Sequence, residues 1–185
     1  MSDQARKHII RIAGFLILLL AVAAAILPAE RGMPGRIIVG GLLLAAGVIE
    51  LGATLARRIH KPSAAIAGAA TVLAGIRLVA DPNAGFFPVL NMVILWLVVR
   101  AAALAFAASR CRPPLQGWFM LSAATDFLLA VMLLAGLPIA LIVAGLFGPT
   151  SEIIATFSWI LAVSFVATGA FLIAAAPIEA CERED

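Results

Sequence analysis

The sequence predicts an all-α integral membrane protein with six transmembrane helices, arranged as three repeated helical hairpins. Of the 185 residues, 64% are hydrophobic and 12% are charged, whereas a soluble domain is about half apolar and about a quarter charged. A helix needs ~20 apolar residues to cross a bilayer core about 30 Å thick. Six such helices and their short turns use nearly the whole chain, as a single transmembrane domain. The apolar runs do not alternate with polar residues, so they predict helices rather than barrel strands.

A pair of small residues recurs inside the first apolar run of each hairpin, and a proline follows after thirteen intervening residues. A second apolar run comes after each proline, and successive copies are offset by 54 and 56 residues. The copies are Ala13-Gly14 with Pro28, Ala67-Gly68 with Pro82, and Ala123-Ala124 with Pro138. This repeat predicts hairpins over residues 9–56, 63–108 and 115–175.

Turn-forming and basic residues separate the apolar runs and mark the ends of the predicted helices. The predicted spans are 9–27, 35–56, 63–80, 86–108, 115–136 and 152–175. The separating segments are the turns Pro28–Pro34 and Asp81–Gly85 and the basic loops Arg57–Pro62 and Arg110–Pro114.

The last hairpin carries an additional apolar stretch, Ile139–Phe147, between Pro138 and Gly148-Pro149. At 1.5 Å per residue this stretch reaches less than half of the ~30 Å hydrocarbon core. It is therefore predicted to be a short interfacial or re-entrant helix. Thr150 or Ser151 is expected to cap helix 6, where Glu152 favours the N-terminal dipole.

Lys and Arg residues cluster on one side of the predicted membrane. That side holds Arg6, Lys7 and Arg11 at the chain start, Arg57, Arg58 and Lys61 after helix 2, and Arg110 and Arg112 after helix 4, against Arg31 and Arg36 opposite. Because positive loops stay in the cytoplasm, we expect both termini to be cytoplasmic. The first apolar stretch resembles a secretory signal, but it carries the first repeat copy, so we expect it to be retained.

Asp126 lies near the middle of helix 5, where a lone charge costs about 2.5–3.5 kcal/mol on insertion scales. Arg100 in the neighbouring helix 4 differs in depth by roughly 4–5 Å at 1.5 Å per residue, within reach of an arginine side chain. We predict that the two form a buried polar pair. Three interpretations stay open: a structural ion pair, a proton- or ion-handling site, or a neutral aspartic acid hydrogen-bonded to Ser122 or Thr125.

Two further charges fall inside predicted spans. Glu50 in helix 2 lies near the cytoplasmic interface, and Arg11 on helix 1 is its predicted partner at similar depth. Arg77 precedes Asp81 by four residues, which allows an ion pair on one helix face while the arginine extends toward the interface. A substrate contact is the alternative role for Arg77.

The sequence contains no pattern that indicates catalysis, a cofactor or a metal. Its two histidines, His8 and His60, and two cysteines, Cys111 and Cys181, have long, irregular spacings that fit no metal motif. It has no nucleophile–base set and no phosphate-binding loop. The basic residues orient the chain in the membrane and do not indicate nucleic-acid binding.

A face of small residues on helix 2 includes Gly40 and Gly47. Such faces allow helices to approach closely in lipid. We expect this face to pack within the molecule, and a homo-oligomer interface is the alternative.

The chain resembles the HdeD-like family of small bacterial inner-membrane proteins over nearly its whole length. The matching features are the small-pair-to-proline spacing, Gln116-Gly117-Trp118 at the start of helix 5, the intramembrane Asp126, and Arg100. The resemblance implies six transmembrane helices, an association with acid-stress resistance, and no established catalytic residues. The insertion between Ile139 and Pro149 departs from the family pattern.

The sequence thus predicts a non-enzymatic membrane protein of the acid-stress type, in contact with the lipid bilayer. A small proton- or solute-handling transporter or channel is the alternative, and no substrate is indicated.

Overall fold

The computed structural model of this chain is a bundle of six long helices. It describes residues 2–26, 35–57, 61–81, 86–111, 113, 115–136, 145 and 152–181, of which 152–155 and 179–181 are described by their backbone alone. The helices are α1 (Asp3–Ile26), α2 (Gly35–Ala56), α3 (Lys61–Ala80), α4 (Phe86–Ala108), α5 (Leu115–Leu134) and α6 (Glu152–Cys181). Each contains a segment long and apolar enough to cross a membrane, and no strand occurs among these residues. The predicted fold class is therefore confirmed.

The helix bounds agree with the prediction to within two residues, except at the two ends of the chain. α1 begins at Asp3 rather than at residue 9, because Ser2 caps it by accepting the N–H of Ala5 at 3.3 Å. α6 continues through Pro177 to Cys181, beyond the predicted end at residue 175. The Ile139–Phe147 stretch, apart from Gly145, and the predicted caps at Thr150 and Ser151 lie outside the described residues.

Side chains on the outside of all six helices are large and apolar. Examples, one per helix, are Leu19, Leu55, Leu73, Phe87, Phe127 and Val166, each at least half exposed. An apolar surface around the whole bundle is unsuited to water. The outer face of the protein therefore contacts the lipid bilayer.

The tightest packing joins neighbouring hairpins rather than the two helices of one hairpin. α2 packs most closely on α3, α4 on α5, and α6 on α1, which closes the six helices into a ring. α6 also contacts α2 and α4 across the ring. Residues on several faces of α6 consequently point into the bundle.

Glycines provide the close approach within two of these helix pairs. A Cβ at Gly47 of α2 would lie 2.7 Å from the backbone N of Val72 on α3, and a Cβ at Gly75 of α3 would lie 2.7 Å from the backbone N of Leu44. Between α1 and α6, a Cβ at Gly14 would lie 2.9 Å from the carbonyl O of Gly169. The small-residue face of α2 therefore packs within the molecule, as expected from the sequence.

Candidate functional site

Four helices contribute to one polar site inside the bundle, which we call the buried charged cluster. Its members are Glu50 on α2, Arg100 on α4, Asp126 on α5, and Ser164 and Thr168 on α6. Asp126 and Ser164 are 0% exposed, and the most exposed member, Glu50, is at 8%. The ring of helices thus encloses three ionisable side chains, a costly arrangement unless they pair with one another.

The guanidinium of Arg100 connects all the other members. Its Nη2 donates to Oε1 of Glu50 at 2.8 Å and also to Oγ1 of Thr168. Its Nη1 donates to Oγ of Ser164 at 2.8 Å and lies 3.3 Å from Oδ2 of Asp126. The predicted contact between Asp126 and Arg100 is therefore confirmed, and the arginine also holds a second carboxylate.

Two hydroxyl groups on α6 complete the site. Ser164 accepts from Arg100 and donates to Oδ1 of Asp126 at 2.6 Å. Thr168 donates to the backbone carbonyl of Ser164 at 2.8 Å while it accepts from Arg100. Residues four apart lie on one helix face, so a single face of α6 presents both hydroxyls to the charges.

The sequence pointed to the wrong hydroxyl partners for Asp126. Thr125 donates instead to the carbonyl O of Leu121 at 2.9 Å, and Ser122 Oγ has no hydrogen-bond partner among the described residues. The observed partner, Ser164, is 38 residues away in sequence. Serine and threonine are common in membrane helices, so neither residue stands out by itself. Only the four-residue spacing of Ser164 and Thr168 could have indicated that their hydroxyls lie on one helix face.

The predicted partner of Glu50 was also wrong. Glu50 pairs with Arg100, whereas Arg11 on α1 is exposed. The reason is the helix arrangement: α1 packs mainly on α6, while α2 packs on α3 and also reaches α6. This arrangement turns Glu50 toward the inside of the ring.

A second layer of hydrogen bonds extends from Glu50 to α3 and α4. Thr71 on α3 is fully buried, and its Oγ1 lies 3.5 Å from Oε2 of Glu50. The same oxygen accepts from Nε1 of Trp96 at 2.9 Å and lies 2.9 Å from the carbonyl O of Ala67. The Arg100 guanidinium carbon lies 5.8 Å from the Trp96 ring centroid. Sequence reasoning did not identify Thr71 or Trp96.

Arg77 lies away from this cluster, at the opposite end of α3 from Lys61. Its Nη1 is 3.9 Å from Oδ2 of Asp81, and its side chain is 68% exposed. The predicted ion pair is confirmed, but exposed pairs of this kind contribute little to stability. A substrate contact for Arg77 stays a prediction.

A narrow crevice adjoins the cluster on its side nearer the end of the bundle at which α2, α4 and α6 end and α3 begins. Its free volume of about 20 Å³ is enough for about one water molecule. Its walls comprise Glu50, Thr54, Arg57, Ala64, Ala67, Arg100, Leu104, Thr168, Phe171 and Leu172. At its outer part the guanidinium of Arg57 lies 5.3 Å from the ring centroid of Phe171. The crevice thus reaches Glu50 and Arg100, and neither Asp126 nor Ser164 is part of its wall.

The charges of the cluster do not balance when every group is ionised. Among the groups in direct contact with Arg100, Glu50 and Asp126 contribute −1 each and Arg100 contributes +1, so their sum is −1. Arg57, which is 5% exposed and forms part of the same crevice wall as Glu50, is outside this sum. Burial of an uncompensated charge costs free energy. One proton taken up by either carboxylate would neutralise the cluster, so these residues are suited to reversible proton binding.

Across the part of the chain that the structure describes, no group of three or more His, Cys, Asp or Glu residues could hold a metal ion. Comparison of the chain with models of known protein families, with curated proteins and with solved structures found no match. The resemblance to HdeD-like proteins therefore stays a prediction.

Proposed function

We propose that this six-span protein is a non-enzymatic protein of the bacterial inner membrane whose buried charged cluster binds and releases one proton. We further propose that it acts in resistance to acid stress, as its resemblance to HdeD-like proteins implies. The observation that carries the proposal is that two buried carboxylates share one guanidinium, so the cluster has a net charge of −1 unless it takes up a proton.

The crevice supports proton binding over a purely structural ion pair. A structural pair needs one acid for one base and no route to water. Here a second acid, Glu50, contacts the same arginine and also forms part of the crevice wall. The crevice lies on the side of the cluster nearer the end of the bundle that the Lys and Arg distribution assigns to the cytoplasm, so we propose that the site responds to cytoplasmic acid.

A small proton- or solute-handling transporter or channel is the second candidate. The polar groups in the crevice wall, Thr54, Arg57 and Thr168, favour it. The narrowness of the crevice, with room for about one water molecule, favours a proton over a larger solute. Reconstituted vesicles that show no proton flux through the protein, while proton binding persists, would eliminate this candidate.

Proton uptake by the purified protein tests the proposal. The wild type is expected to take up one more proton per chain than Glu50→Gln or Asp126→Asn when the pH is lowered from neutral to mildly acidic, since each variant leaves one carboxylate paired with Arg100. Titration with a pH indicator in lipid nanodiscs measures the difference. Cells that carry either variant should also survive acid shock less well than cells that carry the wild type.

Asp81→Asn is the matched control, because it removes a carboxyl from the exposed pair with Arg77. This variant should alter neither the proton uptake by the buried charged cluster nor the survival of cells after acid shock. Equal uptake by the wild type and both cluster variants would refute proton binding at this site.

The membrane orientation provides a separate prediction. With both termini cytoplasmic, cysteines at Lys61 and Arg112 should react with a membrane-impermeant reagent only from the cytoplasmic side, and one at Glu30 only from the periplasm. Intact cells and inverted vesicles provide the two sides. Labelling of the Lys61 position in intact cells would show that the orientation is the opposite one. The crevice would then lie nearer the periplasmic side.

A further inference from the structure

The two carboxylates of the buried charged cluster differ in their access to water. Glu50 forms part of the crevice wall, and 10% of its side-chain surface is exposed. Asp126 is 0% exposed and lies behind Arg100 and Ser164, outside the crevice wall. A proton that arrives through water in the crevice therefore meets Glu50 first.

Glu50 also has a hydrogen-bond acceptor in place for its protonated form. Thr71 Oγ1 lies 2.9 Å from the Ala67 carbonyl, so its single proton can be donated there. The oxygen then accepts from Trp96 Nε1 at 2.9 Å and keeps a second lone pair. That lone pair can accept from a protonated Oε2 of Glu50 once the two oxygens move closer than their present 3.5 Å. Oε1 continues to accept from Arg100 at 2.8 Å.

The described polar neighbours of Asp126 are hydrogen-bond donors. Oδ1 accepts the hydroxyl proton of Ser164 at 2.6 Å. Oδ2 has no hydrogen-bond partner among the described residues and lies 3.3 Å from Nη1 of Arg100. A proton on Oδ2 would therefore meet a donor rather than an acceptor.

Charged groups around Glu50 come from several helices. On α2 itself, Arg57 forms part of the same crevice wall, and on α1 Arg6 donates to the carbonyl O of Ala56 at 3.1 Å. α4 supplies Arg100, and α5 supplies Asp126 behind it. On α3 the charged residues lie at its two ends, and none occurs among the described side chains of α6. Arg57 and Arg100 therefore line the crevice together with Glu50.

From this geometry we infer that Glu50 is the residue that holds the exchangeable proton, that Thr71 accepts the hydrogen bond of its neutral form, and that the crevice is the proton's entry route. Asp126, which accepts from Ser164 and contacts Arg100, keeps the guanidinium in place. The inference rests on the proposed function, because it assigns the proton that the cluster is proposed to bind.

Infrared difference spectroscopy of the wild-type protein at neutral and acidic pH can separate the two carboxyls. A protonated carboxyl in an apolar interior absorbs at higher frequency than a solvated one. Among the described side chains, Glu50 is the only buried glutamate and Asp126 the only buried aspartate. Labelling glutamate carboxyls with carbon-13 is expected to shift this band to lower frequency, and labelling aspartate is expected to leave it unchanged.

A band that shifts with labelled aspartate would overturn the assignment to Glu50 and leave the proposed function intact. Absence of any buried-carboxyl band, together with absence of uptake, would overturn both. Since this measurement uses the wild type, it does not depend on whether a variant folds.

Two pairs of variants test Thr71 and the crevice. Thr71→Val should require a proton concentration roughly threefold to tenfold higher for uptake, the range expected for one hydrogen bond. Thr125→Val, which removes a hydroxyl bonded to Leu121, should cause no change. Unchanged uptake in Thr71→Val would contradict its role as the acceptor.

Ala64→Phe places a ring in the crevice wall and is expected to slow deuterium exchange of the buried-carboxyl band severalfold without changing the amount of uptake. Leu55→Phe, at a position that is 82% exposed on the outside of α2, should leave the rate unchanged. Equal exchange rates in the two variants would show that the proton enters by another route.

Discussion

An Arg100→Leu variant is expected to be strongly destabilised at neutral pH, because it leaves Glu50 and Asp126 buried without the guanidinium that contacts both. Breaking a buried pair costs about 3–5 kcal/mol in soluble proteins, and the cost in a membrane is smaller because the unfolded state also finds partners. Protonation removes the stranded charges, so the destabilisation should shrink as the pH falls. Unfolding in detergent, followed across pH, measures the effect.

The structure changes which combination of substitutions should compensate. If Asp126 and Arg100 formed an isolated pair, as the sequence alone predicts, Asp126→Leu would relieve the cost of Arg100→Leu. Glu50 contacts the same guanidinium at 2.8 Å, so this double variant still strands one carboxylate and should recover only part of the lost stability. Adding Glu50→Gln should recover most of the remainder.

The triple variant also separates the two roles of the cluster. If the charges only hold the helices together, the triple variant should recover both folding and acid survival. If the cluster binds a proton, as we propose, folding should recover while acid survival stays impaired. Strictly additive losses of stability across the set would show that the three residues do not interact.

A Gly47→Ala variant is expected to lower the free energy of unfolding by about 1–3 kcal/mol, the usual cost of overpacking. The new Cβ would lie 2.7 Å from the backbone N of Val72, and a backbone atom cannot rotate away as a side chain can. The two helices must then move apart, which would also disturb Glu50 one turn further along α2. Thermal or denaturant unfolding in detergent measures the loss.

Gly52→Ala is the matched control on the same helix, because nothing lies within 4 Å of its added Cβ. It should leave stability unchanged or raise it by up to about 1 kcal/mol, since alanine favours the helix over glycine. Gly14→Ala should resemble Gly47→Ala, because its Cβ would lie 2.9 Å from the Gly169 carbonyl O. If Gly47→Ala and Gly52→Ala had equal effects, close glycine packing would not be what holds α2 to α3.

Properties that depend on short stretches of chain were predictable from the sequence. The six spans follow from the length and apolar composition of each run, and the bounds of α2 and α4 agree with the structure. The ion pair between Arg77 and Asp81 follows from their spacing of four residues, which is about one helical turn. The contact between Asp126 and Arg100 was predictable because the depths of two charges in adjacent helices can be counted from the helix ends.

Only the tertiary structure decided the rotation of each helix about its axis and the order of packing around the ring. Nearly uniform apolar helices carry little indication of which face turns inward, because lipid and protein interior are similarly apolar. Hence Glu50 was assigned to Arg11 although it pairs with Arg100, and Ser164 was missed although it bonds to Asp126. The sequence by itself determined that charges lie inside the membrane, and the packing of α2 on α3, of α3 on α4 and of α4 on α5 decided that two carboxylates meet one arginine.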